Sequence, residues 1–353
     1  MDNLNILEVT APIWGAFLKD SKPELTLKET KFNKLGSGIS IFYPSIEELI
    51  IIKKSAISNT NTVIPLHIKI LLPDLMNEGF TEKLINDSIS IIKDVVYALR
   101  LYKFGWFMNP LFTEIVFENG MLINRLPGHY RQSFYYNAEN NPAIHYSYEL
   151  SKEDFSDNSS LLKIYRLLVE YKGHSNTSVD IAIDSFNSAF GYQIKLKDQL
   201  NFLFTSLDAA MGGMSASYID NIKLKARFKE RLQTLIDCAG LAITNEQLNW
   251  FDDYKNGGRA IRNGIAHGNW GIDLENIAEQ NFENIYEVIK NVLIEYINFC
   301  TVYSINPALI SDNFDITKAN SYCGIFNKVL EECMNDSHKS QIFNSISFNN
   351  RDI

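Results

Sequence analysis

From Leu161 to Tyr303 the apolar residues return at the three-to-four spacing of a helix, and no stretch between them alternates with the period of a strand. Six helices follow from this pattern: Leu161 to Tyr171, Ser178 to Phe190, Lys197 to Met211, Ser217 to Cys238, Asn245 to His267 and Leu274 to Tyr303. Amphipathic helices in such a run can bury their apolar stripes only against one another, which predicts an all-α bundle.

The first 150 residues read differently. Ile39 to Phe42 and Val63 to Leu71 are short strands, with a helix from Ile46 to Ser58, capped by Ser45, between them. Thr81 opens a helix that runs to about Lys103 on Leu84, Ile85, Ile89, Ile92, Val95, Val96 and Leu99. Phe112 to Phe117 and Met121 to Leu126 then form a hairpin about Asn119-Gly120, because those residues accept the positive φ of a tight turn. Gln132 to Tyr136 and Ala143 to Leu150 are further strands. The chain is therefore expected to be an α+β domain over 1–150, a polar linker or long cap at Ser151 to Ser160, a helical bundle over 155–305, and a C-terminal part over 306–353. In that last part a helix from Ile316 to Met334 precedes an Asn- and Ser-rich tail, Asn335 to Ile353, whose composition predicts disorder.

Polar side chains suited to a reaction are concentrated in Arg259-Ala-Ile-Arg-Asn-Gly-Ile-Ala-His-Gly268. At about 100° per residue, Arg259, Arg262, Asn263 and His267 share an arc of about 140°, and Ile261 and Ile265 point away. Read backwards in that register, Trp250, Tyr254 and Gly258 join the isoleucine face, and Asp252, Lys255 and Asn256 the polar one. The Asn245 to His267 helix should kink, since Gly257, Gly258 and Gly264 each cost about 1 kcal/mol relative to Ala in a helix interior. His267-Gly268 is also what an ordinary helix C-terminus looks like.

Arg262-Asn263-x-x-x-His267, ending Ile-Ala-His-Gly, resembles the signature of HEPN domains. Phe202 to Met211 resembles the helix of Apea-like HEPN domains that carries an acidic residue in its middle. Asp208 takes that position, where the family often has Glu. The resemblance covers about residues 155–305 and implies a bundle of four or five helices. It also implies a metal-independent ribonuclease whose Arg262 and His267 work in a site shared between two protomers, hence a homodimer. A bacterial antiviral or abortive-infection setting is implied as well, with a phage-derived or other trigger received by residues 1–150. Two functions stay open: an endoribonuclease, or a HEPN-like module that binds RNA or a protein without cutting.

The chemistry fits the first. Attack of a ribose 2′-hydroxyl on its phosphate needs a base, an acid, and positive charge where the phosphorane forms. An imidazole exchanges protons near neutral pH, and a guanidinium holds phosphate with two parallel donors. His267 is the candidate acid or base and Arg262 the phosphate ligand. Asn263 positions the phosphate or His267, Arg259 is a second clamp, and Asp208 supports. No Asp or Glu lies between Lys255 and Asn269, and neither His67, His129 and His145 nor the four cysteines have metal-ligand spacing. No cofactor or metal is expected.

A net charge of −9 excludes binding of nucleic acid by the whole surface. The local basic candidate is Lys223, Lys225, Arg227, Lys229 and Arg231, of which Lys223, Arg227 and Arg231 are the RNA-binding candidates. Such a run is also an ordinary solvated helix face. Cys238, Cys300, Cys323 and Cys333 are expected as buried free thiols. With neither a basic-then-apolar leader nor an uninterrupted apolar span, a cytoplasmic protein away from membranes is expected.

Overall fold

The computed structural model describes residues 6–13, 16–18, 24–27, 38–42, 66–73, 82–105, 107, 115–118, 121–125, 148–151, 153–156, 158–174, 177–191, 194–213, 218–219, 222–224 and 227–353. Helix predominates among them. The chain divides into two compact units, 1–139 with 143–166, and 140–142 with 167–353.

In the first unit, strands β1 (Ile6–Ile13), β2 (Ala16–Leu18), β3 (Glu24–Leu27), β4 (Gly38–Phe42) and β5 (Leu66–Pro73) precede helix α1 (Glu82–Tyr102). Strands β6 (Ile115–Glu118), β7 (Met121–Arg125) and β8 (Tyr148–Leu150) follow it. The sheet order is β3-β4-β5-β1-β6-β7 with antiparallel neighbours, and β2 pairs with β8 in parallel. Period-two burial places Ala11, Ile13, Ile39, Ile41, Ile68 and Ile70 in the core. The helix expected at 46–58, its Ser45 cap, the Asn119-Gly120 turn and the strand at 132–136 lie outside the described residues.

The polar stretch read as a linker or long cap is a folded corner. Asp154, 9% exposed, accepts from Tyr102 Oη at 2.5 Å, Ser151 N–H at 2.8 Å and Lys103 Nζ at 3.0 Å. A short 3-10 turn, Glu153–Phe155, presents it, and helix α2 (Ser160–Lys172) begins just beyond. The division between the units falls within α2, and not at 151–160.

The second unit contains α3 (Thr177–Ser188), α4 (Leu196–Met211), strands β9 (Tyr218–Ile219) and β10 (Ile222–Lys223), α5 (Phe228–Ala239), α6 (Asn245–Phe251) and α7 (Gly258–Ala266). After these come α8 (Ile272–Gln280), α9 (Phe282–Ile305), α10 (Pro307–Ser311), α11 (Tyr322–Cys333) and α12 (Ser337–Ile346). Buried almost all round, α9 is the axis of the bundle: it packs against α3, α4, α6, α8, α10 and α11.

Three expected helices are interrupted. The segment from Ser217 opens as the β9-β10 hairpin, so its helix starts only at Phe228. Asn281 ends α8 by donating its side-chain amide to the Ile277 carbonyl at 2.8 Å, which separates α8 from α9. Between α6 and α7 the chain folds back so tightly that a Cβ on Gly257 would lie 1.8 Å from the Trp250 carbonyl oxygen. The expected kink in the 245–267 helix is thus a full break, and Thr244 and Gln247 close a capping box on α6.

The C-terminal tail is folded, contrary to its composition. Asp336 caps α12 by accepting from the backbone N–H of His338 and Lys339, and Phe343, Ile346 and Phe348 are buried. Phe343 packs its ring against Phe299 and Phe326. Arg351 reaches Glu170 at 2.7 Å and Asn298 at 3.0 Å, while buried Glu295 accepts the Phe348 N–H. The Asn and Ser content serves caps and carbonyls. Residues 306–353 belong to the same unit as the bundle. All four cysteines are buried free thiols, and no helix of the described residues is long and apolar enough to cross a membrane.

Candidate active site at the end of helix α7

Helix α7 carries the Arg-Asn-x-x-x-His segment, and Gly264 sets how it is seated. A Cβ there would come 2.5 Å from Leu274 Cδ1 and 3.5 Å from the Asn269 carbonyl oxygen, so α8 and the turn before it lie close on that face. His267 is the C-cap, its N–H donating to the Asn263 carbonyl at 2.9 Å, and Gly268 follows with φ of 73°. Both are exposed. His267 is five positions after Arg262, a rise of about 7.5 Å. The imidazole thus stands at the helix end, open to solvent, with the guanidinium about a turn and a half behind it.

Arg262 is held from another helix. Its Nη2 lies 3.0 Å from Asp208 Oδ2, with the two side chains 23% and 31% exposed. Asp208 is in the last turn of α4, where Gly212, with φ of 73°, donates to the Asp208 carbonyl at 2.8 Å. A carboxylate at a helix C-terminus meets the negative end of the dipole and costs about 0.3–1 kcal/mol. Its position is accounted for by Arg262 and not by α4. Asp208 Oδ1 is buried and has no hydrogen-bond partner among the described residues, so the carboxylate keeps one unsatisfied acceptor beside the cation. Asn263, half-buried, is on the same helix one residue on.

Arg259 serves the fold. It is 6% exposed, lies 2.9 Å from Asp252 Oδ1, and stacks its guanidinium 4.3 Å from the centroid of the Tyr254 ring. These contacts lock the turn between α6 and α7 and leave it buried instead of facing solvent as a second clamp. Tyr254, assigned by the helical wheel to the buried isoleucine face, is 65% exposed. The wheel fails there because 252–257 is not helical. Asp252 carries the partner that the sequence reading missed, and a carboxylate seven residues before an arginine has no meaning until the break brings them together.

The basic candidates separate. Arg231 is fully buried: Nε donates to Asn327 Oδ1 at 2.9 Å and Nη2 to the Met211 carbonyl at 3.1 Å. Desolvation lowers its pKa, against the opposing charge of Glu331. It closes the C-terminus of α4 from inside and cannot meet RNA, which corrects its place among the RNA-binding candidates. Arg227 is exposed at the start of α5, and Lys229 donates to Asn249 Oδ1 at 2.8 Å. Lys223 is in β10 with its side chain outside the described residues, as is Lys225 entirely. The patch therefore reduces to fewer exposed cations than the sequence counts.

The arrangement presents one solvent-open imidazole, one cation shared with a carboxylate, and one amide, all on α7 or pointing at it from α4. It can bind an anion at Arg262 by extending or displacing the Asp208 contact, and it can exchange a proton at His267. No protein family, characterised protein or solved structure matches the chain.

Proposed function

We propose that this protein is a metal-independent endoribonuclease of the HEPN type. The observation that carries the reading is the Asp208–Arg262 ion pair: two residues 54 positions apart, each singled out by the resemblance on separate grounds, are in contact at 3.0 Å beside an exposed His267. In the reaction, Arg262 binds the scissile phosphate and neutralises the charge that grows on it. His267 takes the 2′-hydroxyl proton or gives one to the departing 5′-oxygen. Asn263 orients the phosphate, and Asp208 sets the direction of Arg262. Because one copy of the motif brings one histidine, a second copy related by a two-fold axis supplies the complementary acid or base, so the active form is a homodimer through the helical unit. Residues 1–150 are an α+β sensing domain that restrains the nuclease, in the setting of bacterial antiviral defence in the cytoplasm.

A second reading has its own observation. Arg262 is already paired and the His267 ring makes no hydrogen bond among the described residues that would orient it. That is the state of a binding module for RNA or a protein. Expression of wild type beside His267→Ala in bacteria, scoring growth and RNA integrity, separates the two. The nuclease reading requires RNA fragmentation that the variant lacks; equal RNA integrity with wild type present and active in binding favours the module.

A further inference from the structure

Among the described residues, Tyr254 is the one aromatic side chain left mostly in solvent, at 65% exposed. The turn that carries it is nevertheless fixed. Asp253 accepts the Ala260 N–H at 3.1 Å through its carbonyl and the Lys255 N–H at 2.8 Å through Oδ1, so the chain is tied on both sides of Tyr254. Gly258 lies so close to α6 that a Cβ there would stand 2.9 Å from the Phe251 carbonyl oxygen. Behind the ring, the Arg259 guanidinium carbon is 4.3 Å from the centroid; Arg259 is 6% exposed and held by Asp252 at 2.9 Å. One face of the ring is seated on a fixed cation, and its exposure belongs to the opposite face and the edge.

Position ties the ring to the candidate site. Arg259 and Arg262 are three residues apart on α7, a spacing that makes side chains neighbours on the helix surface, with about 5–6 Å between Cβ atoms. His267 ends the same helix, about 12 Å along the axis from Arg259. An exposed aromatic, a cation and an imidazole thus follow one another along α7.

We propose that Tyr254 is a stacking platform for a nucleobase of single-stranded RNA, next to the phosphate held by Arg262. The proposal rests on the nucleic-acid reading of α7 and adds a base subsite to it. A ring already fixed on one face loses little freedom when a base covers the other, and every base has a π face to offer it. Charge contributes little at this place. Asp252 is paired with Arg259 and Asp208 with Arg262, while Asp253 and Lys255 bring opposite charges to one turn, so stacking has to carry the contact. A protein interface takes about 800 Å² from each partner, with an apolar centre. One ring flanked by Asp253, Lys255 and Asn256 does not supply that centre.

The probe is a short single-stranded oligodeoxynucleotide, which lacks the 2′-hydroxyl, compared with its abasic sugar-phosphate counterpart on full-length protein over a range of salt. Tyr254→Ala and Tyr254→Leu should each bind the base-bearing strand at least fivefold more weakly, the lower end of what one stacked base contributes. Their salt dependence should match wild type, and their preference for the base-bearing strand over the abasic one should narrow by the same factor. Arg262→Ala, in contrast, weakens both strands and flattens the salt dependence. Leu keeps an apolar cover over Arg259, so a loss in Tyr254→Leu at an unchanged melting temperature belongs to the π face. In Tyr254→Trp binding is retained, and the oligonucleotide quenches the added tryptophan emission, a readout that does not need the Ala or Leu variant to fold. Wild-type affinity in Tyr254→Leu, no added quenching in Tyr254→Trp, or loss of a homodimer in Tyr254→Ala by light scattering overturns the proposal. If those results come with weakened binding in Arg262→Ala, the reading of α7 stands and only this subsite falls; wild type that binds neither strand removes both.

Discussion

Replacing Asp208 with Asn tests whether the carboxylate is there for Arg262's charge or for the fold. At about 4 Å between charge centres and an effective dielectric of about 20, the pair's Coulomb energy is about 4 kcal/mol before screening. With side chains 23% and 31% exposed, solvent and the entropy of holding both groups reduce the net contribution to about 1 kcal/mol or less. Removing the carboxylate also relieves its position at the C-terminus of α4, worth about 0.3–1 kcal/mol, and removes a buried charged oxygen with no partner. The contributions nearly cancel, so the Asp208→Asn stability stays within about 1 kcal/mol of wild type in a denaturant titration. Binding should respond more. Freed from its carboxylate, Arg262 pairs with a phosphate, and affinity for a non-cleavable single-stranded oligodeoxynucleotide rises up to about tenfold. Its salt dependence steepens by about one phosphate contact, roughly 0.7 in slope. Turnover of RNA falls meanwhile, because the guanidinium is no longer aimed. Arg262→Ala should cancel the binding gain in the double variant. A loss of more than about 3 kcal/mol on Asp208→Asn, or an affinity gain that persists without Arg262, would refute this account of the pair.

Phe343→Ala should cost about 3–5 kcal/mol in the same titration, the range for a buried aromatic truncated in a core, because Phe343 is 1% exposed against Phe299 and Phe326; a loss under 1 kcal/mol would return the tail to disorder. Gly257→Ala places a methyl 1.8 Å from the Trp250 carbonyl oxygen, so the α6-α7 turn must open. Thermal melting should show a loss of at least about 2 kcal/mol, the scale of a backbone-incompatible substitution, whereas Gly271→Ala, with no neighbour within 4 Å, should be tolerated. Burial alone would raise the Asp154 pKa, yet Tyr102, the Ser151 N–H and Lys103 together hold it below the usual carboxylate value. Its contribution is therefore complete above the unfolded value of about 3.9 and is lost as pH falls through the lower native one. The stability gap between wild type and Asp154→Asn should be constant from neutral pH down to about 5 and close in acid; a gap that widens in acid contradicts this.

Much of the helical unit is legible from apolar spacing. The helices expected at 161–171, 178–190 and 197–211 appear as α2, α3 and α4 with no end shifted by more than two residues. Spacing could not reveal the breaks at 252–257 and Asn281, because each depends on contacts absent from a wheel: a glycine against a carbonyl, and an amide folded back on its own helix. The tail failed for a related reason. Composition treats Asn and Ser as solvating, but Asn344 and Ser340 spend their donors on carbonyls of α5 and α11. Of the site, Arg262 and Asp208 meet across α7 and α4, a contact that neither segment signals by itself. Arg259 and Arg231 carry the same charge in the sequence but are consumed internally by Asp252 and Asn327, partners that no linear pattern identifies.

Cleavage by the purified protein tests the central claim most directly. A two-metal nuclease draws several carboxylates onto the scissile phosphate, whereas α7 offers Arg262, Asn263 and His267, and the proposed reaction therefore uses the RNA's own 2′-hydroxyl as nucleophile. Single-stranded RNA incubated with wild type in EDTA should yield fragments ending in a 2′,3′-cyclic phosphate with a free 5′-hydroxyl. DNA of the same sequence should stay intact, and His267→Ala and Arg262→Ala should each be slower by about 10²-fold or more. Magnesium-dependent cleavage, equal cutting of DNA, or undiminished activity in His267→Ala would contradict the assignment.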